Sequence, residues 1–319
     1  MVRLGDPNNH NFVSNRLKSE ASDLEIVRIC LDGGENEKAF RAGSMLPDIT
    51  VVYYYKEGGK NYKLLHNWNF QQELTNEAIT QDEKCLALGV ALHLITDSVS
   101  HTQAVPTKIG ETKIHNVLLH PLLEKKYDSE TAIRHSEIIN QTAHMLDAMY
   151  GPHGDRYIEM IENAIGENIA FDVKKEVDNL AIALGSFYDE AFRPRVQDNS
   201  IFAVYVYLDK FTNFVHPYIG KWNIEDMDSF ADKNVELTIS TFNNWGSRYA
   251  ISPHGFSELL EADEKAGRYF IFGLIALIIV SIWLPIHLMI KRKKFRYIFL
   301  SLMIIPIMLL VLTIIYIIL

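Results

Sequence analysis

The sequence predicts an all-α domain followed by a helical membrane anchor. Apolar residues in the first 268 positions recur at helical spacing, and the one strand-like stretch, ITVVYYY at 49–55, is too short to build a sheet. The last 51 residues contain no Asp or Glu and are almost wholly apolar. Internal repeats and low-complexity segments are absent from the sequence, which argues against a solenoid or a disordered chain.

The helices of the domain are expected in the following order. Residues 10–31 carry apolar side chains on one helical face, and residues 83–103 form a Leu- and Ala-rich run that Pro106 closes. Glycine pairs at 33–34 and 58–59 mark loops, and residues 43–47 are expected to form a turn. Further helices are predicted at 129–150, 155–165, 172–192, 198–222 and 225–244.

The charge of the domain argues against nucleic acid as a partner. Five of the 31 Lys and Arg residues lie in the tail while all 40 acidic residues precede it, so residues 1–268 carry a net charge of −14. Non-specific nucleic-acid binding needs clustered cations that displace phosphate counterions. We therefore expect no nucleic-acid partner.

The two cysteines, Cys30 and Cys85, are too few for a disulfide framework or a Cys-rich metal site. Both lie in apolar, helix-like runs. We therefore expect buried free thiols.

Two apolar segments near the C-terminus predict a membrane anchor. Residues 269–290 and 297–319 are 22 and 23 residues long and lack Asp, Glu, Lys and Arg, whereas a helix needs about 20 apolar residues to span a bilayer. The alternative, a hairpin buried in a soluble core, would require an apolar partner surface on all sides. The predicted organisation is a helical domain at 1–268, transmembrane helices at 269–290 and 297–319, and a basic linker at 291–296.

The orientation of this anchor rests on two conflicting signals. The linker KRKKFR is strongly basic and should face the cytoplasm, which would place residues 1–268 on the other side. The N-terminal residues contain no apolar stretch typical of a signal peptide. We favour the non-cytoplasmic side for the domain, because the charge of the linker is read directly from the sequence.

A histidine and carboxylate pattern within residues 83–103 predicts a metal site. His93, Asp97 and His101 follow one another at intervals of four, so they share one face of a helix. They interrupt an otherwise apolar stripe, and burying such groups without partners costs several kcal/mol. A shared metal ion would satisfy all three.

Further donors flank this helix. His120 and Glu124 form a second pair at i, i+4, with His115 as a competing ligand, and upstream lie Asp48 and His66. Each pair alone is also typical of an ordinary helical contact. Imidazole and carboxylate donors without thiolate point to zinc in an open, hydrolytic arrangement of two or three ions. His135 and His144, on a mixed-charge helix, are expected to bind no metal.

In this order the residues resemble the zinc-dependent phospholipase C family, whose all-helical fold is shared with a group of zinc nucleases. The matching stretches are AGSMLPDIT, KLLHNWNF, ALGVALHLITDSVSH and HPLLE, and the resemblance covers roughly residues 10–150. It implies a cluster of zinc ions in which Asp97 bridges two of them. The implied ligands are His10, Asp48, His66, His93, Asp97, His101, His120 and Glu124.

The resemblance implies a membrane-anchored phosphodiesterase that acts on phospholipid. Asp48 would be the general base, and the products would be diacylglycerol and a phosphorylated headgroup. Aromatic residues at 53–55, Trp68 and Phe70 are candidates for a headgroup site, although core packing is the simpler interpretation. Two alternatives remain at this point: a nuclease or nucleotidase on the same scaffold, and a non-catalytic, metal-stabilised binding module.

Overall fold

The computed structural model describes residues 7–53, 60–100, 127–128, 131–132, 134–166, 171–188 and 224–243. All of these lie in the first of two units of the chain, Val2–Phe256, while the second comprises Ser257–Leu319 together with Met1. Every regular element within these ranges is a helix, so the prediction of an all-α domain is confirmed for this part of the chain.

The predicted spans at 269–290 and 297–319 and the basic linker lie outside the described residues, as does the predicted helix at 198–222. Among the helices that the structure describes, none combines the length and the hydropathy that crossing a membrane requires.

Ten α-helices and two 3-10 helices make up the described part of the domain. In chain order the α-helices are α1 (Pro7–Glu20), α2 (Glu25–Leu31), α3 (Gly34–Met45), α4 (Lys60–Leu65), α5 (Trp68–Glu77), α6 (Gln81–Val99), α7 (Ile138–Ala143), α8 (Gly154–Ile165), α9 (Val173–Tyr188) and α10 (Ile224–Asn243). The 3-10 helices are Leu46–Tyr53, which continues directly from α3, and Asp147–Tyr150.

Helix α6 is the central element of the domain. Its N-terminus is closed by a capping box in which Thr80 and Glu83 each bind the other's backbone N–H, so the helix begins at a defined residue. Its side chains enter two apolar clusters on different sides: Leu86, Val90 and Leu94 pack in one, and Leu88 and Leu92 in the other. A helix that is apolar on nearly all sides has to be buried, and α6 is buried along almost its whole length.

Helices α3 and α6 cross at very short distance through two glycines. A Cβ added at Gly43 would collide with the carbonyl oxygen of Leu86, and one added at Gly89 would collide with that of Phe40. Only residues without a Cβ allow the two backbones to approach this closely. The crossing brings the C-terminal half of α3 against the middle of α6.

Several local predictions are corrected by the structure. Gly43 lies inside α3, so the turn expected at 43–47 is wrong; the strand-like run at 49–55 begins as the 3-10 helix Leu46–Tyr53. In a 3-10 helix residues at i and i+3 share a face, and the fully buried Leu46 and Ile49 have this spacing. The helix expected at 10–31 is divided into α1 and α2 by a turn after Glu20, and the one expected at 129–150 is divided around His144.

The prediction of two free thiols is also wrong. Cys30 on α2 and Cys85 on α6 form a disulfide that joins positions 55 residues apart, with their Cα atoms 5.4 Å apart. This separation lies within the range that a disulfide can bridge. In the sequence both cysteines lie in apolar, helix-like runs, which are equally typical of a buried thiol. The pairing depends on how the two helices pack.

Candidate metal centre

Four separate segments bring five of the predicted ligands together. His10 lies on α1, Asp48 on the first 3-10 helix, His66 directly after α4, and His93 and Asp97 on α6. All five residues are buried, and none exposes more than 5% of its surface. A concentration of imidazole and carboxylate at this depth is costly unless the groups are paired or bind a cation.

The histidines are oriented by what their Nδ1 atoms bind. Nδ1 of His93 lies 2.8 Å from the carbonyl oxygen of Ser44, and Nδ1 of His66 lies 3.0 Å from that of Tyr62. Because a carbonyl oxygen can only accept, both Nδ1 atoms carry the proton. In the neutral form of each ring, Nε2 therefore offers a lone pair toward the centre.

The two Nε2 atoms face each other at a distance of 3.1 Å. Two neutral imidazoles fixed in this way would direct two lone pairs at one another, which is repulsive. A proton between the rings or a cation bound to both nitrogens removes this repulsion. Metal-bound histidines commonly donate Nδ1–H to a backbone carbonyl in this manner.

Most distances around this pair match those between the ligands of a tetrahedral zinc ion. Nε2 of His66 lies 3.4 Å from an oxygen of Asp48 and 3.4 Å from Oδ2 of Asp97, which is 3.3 Å from Nε2 of His93. Zinc with bonds of about 2.0–2.1 Å separates tetrahedral ligands by about 3.3–3.4 Å. The longest of the measured separations, His93 Nε2 to Asp48 Oδ1, is 4.0 Å. Asp48, His66 and His93 therefore form a set able to hold one metal ion, and Asp97 adjoins both histidines. We call these four residues the primary site.

Asp48 adds an independent indication. Both of its carboxylate oxygens are buried and accept no hydrogen bond from any residue in the described part of the chain. A carboxylate in this state is costly unless a cation lies against it.

A second group of donors adjoins the primary site. Oδ1 of Asp97 lies 3.6 Å from Nε2 of His10, while its Oδ2 faces the primary site. The rings of His10 and His93 stack with centroids 4.3 Å apart. His10, His93 and Asp97 form a second set able to hold a metal ion, but Nε2 of His93 can bind only one ion. We call the position between His10 and Asp97 the secondary site.

The charged groups around His93 raise the pKa of its imidazole ring. Burial lowers this pKa, but the nearby carboxylates of Asp97 and Asp48 and the hydrogen bond to Ser44 outweigh burial and raise it from 6.5 to about 9. A ring with this pKa is protonated at neutral pH when no metal is bound. A metal ion and the proton therefore compete for the same nitrogen.

The remaining predicted ligands, His101, His120 and Glu124, lie outside the described residues, as does their competitor His115. His135 and His144 belong to neither set of candidate ligands among the described residues: His135 stacks on Phe12, and His144 is exposed and faces Asp147. Phe70 is part of the apolar core and Trp68 packs against it, which agrees with the simpler interpretation of these aromatics.

Sequence reasoning did not identify the groups that orient the histidines. Ser44 and Tyr62 act through their backbone carbonyls, which leave no signature in residue type. Thr96, whose hydroxyl lies 2.7 Å from Nδ1 of His10, is a side chain next to Asp97. Its place directly before a predicted ligand was the only feature of the sequence that could have pointed to it.

The described residues form a helical domain with a buried imidazole–carboxylate cluster that is able to bind metal. Residues 9–167 match the family described as zinc dependent phospholipase C. This stretch of the chain, which includes every predicted ligand, belongs to that family, and the predicted resemblance is confirmed. No curated protein and no solved structure matches the chain at a significant level.

Proposed function

We propose that the protein is a membrane-anchored, zinc-dependent phosphodiester hydrolase that cleaves a phospholipid in the manner of a phospholipase C. The observation that carries the proposal is the convergence of the Nε2 atoms of His66 and His93 with carboxylate oxygens of Asp48 and Asp97. The nitrogen–nitrogen and nitrogen–oxygen separations are 3.1–4.0 Å, inside a stretch that matches the zinc-dependent phospholipase C family. The donors are nitrogen and oxygen without thiolate, which is typical of a hydrolytic rather than a structural zinc site.

The primary site would hold one zinc through Asp48, His66, His93 and Asp97, and His10 with Asp97 would contribute to a second. His101, His120 and Glu124 remain predicted ligands of a further ion. Bound there, zinc supplies a Lewis acid that lowers the pKa of a water molecule and neutralises charge on phosphate oxygens.

The chain's own residues provide orientation and proton transfer. The carbonyls of Ser44 and Tyr62 keep the lone pairs of His93 and His66 directed inward. Asp48 is the proposed general base, since its second oxygen accepts no hydrogen bond from the described residues and can take a proton from the attacking water. Full burial of Asp48 excludes bulk water that would otherwise weaken these interactions.

The phospholipid substrate and the membrane location are supported by the family and by the sequence. The two uncharged segments at 269–290 and 297–319 would hold the domain beside lipid. We place the domain on the non-cytoplasmic side, because the linker at 291–296 is basic and because disulfides such as Cys30–Cys85 persist mainly in oxidising compartments.

The activity can be tested with full-length protein purified in detergent. Mixed micelles of phosphatidylcholine, phosphatidylethanolamine or phosphatidylglycerol would be incubated with it, and diacylglycerol and phosphorylated headgroup would be measured. Single-stranded nucleic acid serves as the competing substrate. We expect lipid hydrolysis that a zinc chelator abolishes and added zinc restores.

The control pair is His66→Ala, which removes a ligand of the primary site, and His144→Ala, which removes an exposed imidazole. The first should lose nearly all hydrolysis and the second should keep it. Release of nucleotides without diacylglycerol would favour the nuclease alternative. Hydrolysis that is insensitive to both chelator and His66→Ala would contradict the proposal.

A further inference from the structure

The hydroxyl of Thr96 lies 2.7 Å from Nδ1 of His10, and both groups are fully buried. We propose that Thr96 is a positioning residue that sets the tautomer of His10 and thereby creates the secondary site. This inference rests on the metal centre of the proposed function, but it concerns one hydrogen bond outside the set of ligands.

The direction of that hydrogen bond follows from the other contacts of the hydroxyl. Oγ1 of Thr96 lies 2.7 Å from the carbonyl oxygen of Leu92 and 3.0 Å from that of His93. Both carbonyls only accept, so the single hydroxyl proton is shared between them. What Oγ1 offers His10 is a lone pair, and Nδ1 of His10 must donate.

The consequence lies at the opposite nitrogen of the ring. With the proton on Nδ1, Nε2 of His10 presents its lone pair toward Oδ1 of Asp97, 3.6 Å away. If the proton moved to Nε2, the ring would point a donor at Asp97 and could no longer bind a cation between them. The tautomer of His10 therefore decides whether the secondary site exists.

Thr96 differs from the groups that orient the other two histidines. His66 and His93 are held by backbone carbonyls, which no substitution of a side chain removes. Among the three histidines that the structure places in the centre, only His10 has a side-chain hydroxyl on Nδ1. The secondary site can thus be lost by one substitution that leaves the primary site intact.

The first test is zinc binding, measured by titrating metal-free full-length protein with Zn²⁺ against a chromophoric chelator. Thr96→Val keeps the shape of the side chain and removes the acceptor. We expect it to retain the tightest zinc and to weaken a second zinc by about 10–100-fold, the usual effect of losing a group that orients a ligand. Thr96→Ser, which retains the hydroxyl, should restore binding.

Thr238→Val is the matched control. Thr238 is also fully buried, and its hydroxyl donates to the carbonyl of the residue four positions before it, at 2.7 Å. This variant removes a comparable internal hydrogen bond on α10 and should bind zinc like the unmodified protein. Thr96→Val with unchanged binding, or Thr96→Ser with the same loss as Thr96→Val, would overturn the inference.

A second measurement does not depend on the folding of any Thr96 variant. The ¹⁵N resonances of His10 in metal-free protein, assigned by their absence from His10→Gln, should show that Nδ1 carries a proton. A neutral ring protonated on Nε2 would overturn the inference. Neither measurement uses lipid, so a protein that shows this binding pattern but hydrolyses no lipid would contradict the proposed function alone.

Discussion

Asp97 lies between the candidate ligands of the primary site and those of the secondary site. One oxygen faces His66 and His93, and the other faces His10. Asp97→Asn preserves the shape of the side chain but removes the charge that offsets repulsion between two neighbouring cations. We expect the variant to lose bound zinc and nearly all hydrolysis while staying helical, as measured by elemental analysis, product release and circular dichroism.

His93→Ala and His135→Ala provide the comparison for that experiment. The first removes a ligand of the primary site, and the second removes a ring that stacks on Phe12 outside the centre. Full zinc content and normal turnover in Asp97→Asn would mean that α6 is a packed helix with no metal role.

The raised pKa of His93 predicts how the stability of the metal-free protein depends on pH. The pKa of the folded state is about 9 and that of the unfolded state about 6.5, so the folded state binds the proton more tightly. This stabilisation is complete below about pH 6.5 and is lost as the pH rises through 9. It amounts to up to about 3 kcal/mol.

Thermal unfolding in chelator should therefore occur at a lower temperature at pH 9.5 than at pH 6.5. The difference should shrink in His93→Gln, whose side chain does not titrate. Zinc-loaded protein should not show the same decline, because zinc binds the neutral ring and meets less competition from protons at high pH. A metal-free protein that gains stability over this interval would contradict the assignment.

The candidate ligands were predictable at the level of single residues, but their surroundings were not. The spacing of His93 and Asp97 on α6 is local information, since four residues make about one helical turn. The order of Asp48, His66 and this pair, followed by His101 and the His120–Glu124 pair, carried the family resemblance. The contacts of Ser44, Tyr62 and Thr96 depend on packing between elements distant in sequence.

The crossing of α3 and α6 positions half of the primary site. Ser44, beside Gly43, orients His93, which lies one turn after Gly89. Gly89→Ala would force the helices apart, and we expect it to destabilise the protein by about 3 kcal/mol or more and to weaken zinc binding. Chemical denaturation and a zinc titration measure the two effects.

Gly34→Ala is the control for this substitution. Its Cβ would meet no atom within 4 Å, and the cost comes only from a φ of +68°, about 1 kcal/mol. It should leave zinc affinity unchanged. An equal loss of stability in the two variants would mean that the close crossing has no energetic role.

At the level of elements, prediction succeeded where the signal was periodic and local. The helix expected at 155–165 agrees with α8 to one residue, and those expected at 83–103 and 225–244 correspond to α6 and α10. α3 was missed because Gly34 and Gly43 suggest loops, although Gly43 is required by the neighbouring helix. The need for glycine at this position comes from the contact with α6, and the sequence of α3 alone does not reveal it.

At the level of the whole molecule, the proposed anchor makes a prediction about fractionation. Two apolar spans satisfy their backbone hydrogen bonds only as helices within lipid. We expect the full-length chain to remain with membranes after alkaline carbonate extraction and truncation after Gly267 to release the domain. Full-length protein in the soluble fraction without detergent would contradict the anchor.

The disulfide between Cys30 and Cys85 has a practical consequence for determining membrane sidedness. These are the chain's only cysteines, and both take part in the disulfide, so the unmodified protein should not react with a maleimide. A single introduced thiol therefore reports its own location, and the two native cysteines do not have to be replaced first. On intact cells an impermeant maleimide should label Ser22→Cys, in the exposed turn after α1, and spare Lys293→Cys in the basic linker. The reverse pattern would place the catalytic domain in the cytoplasm.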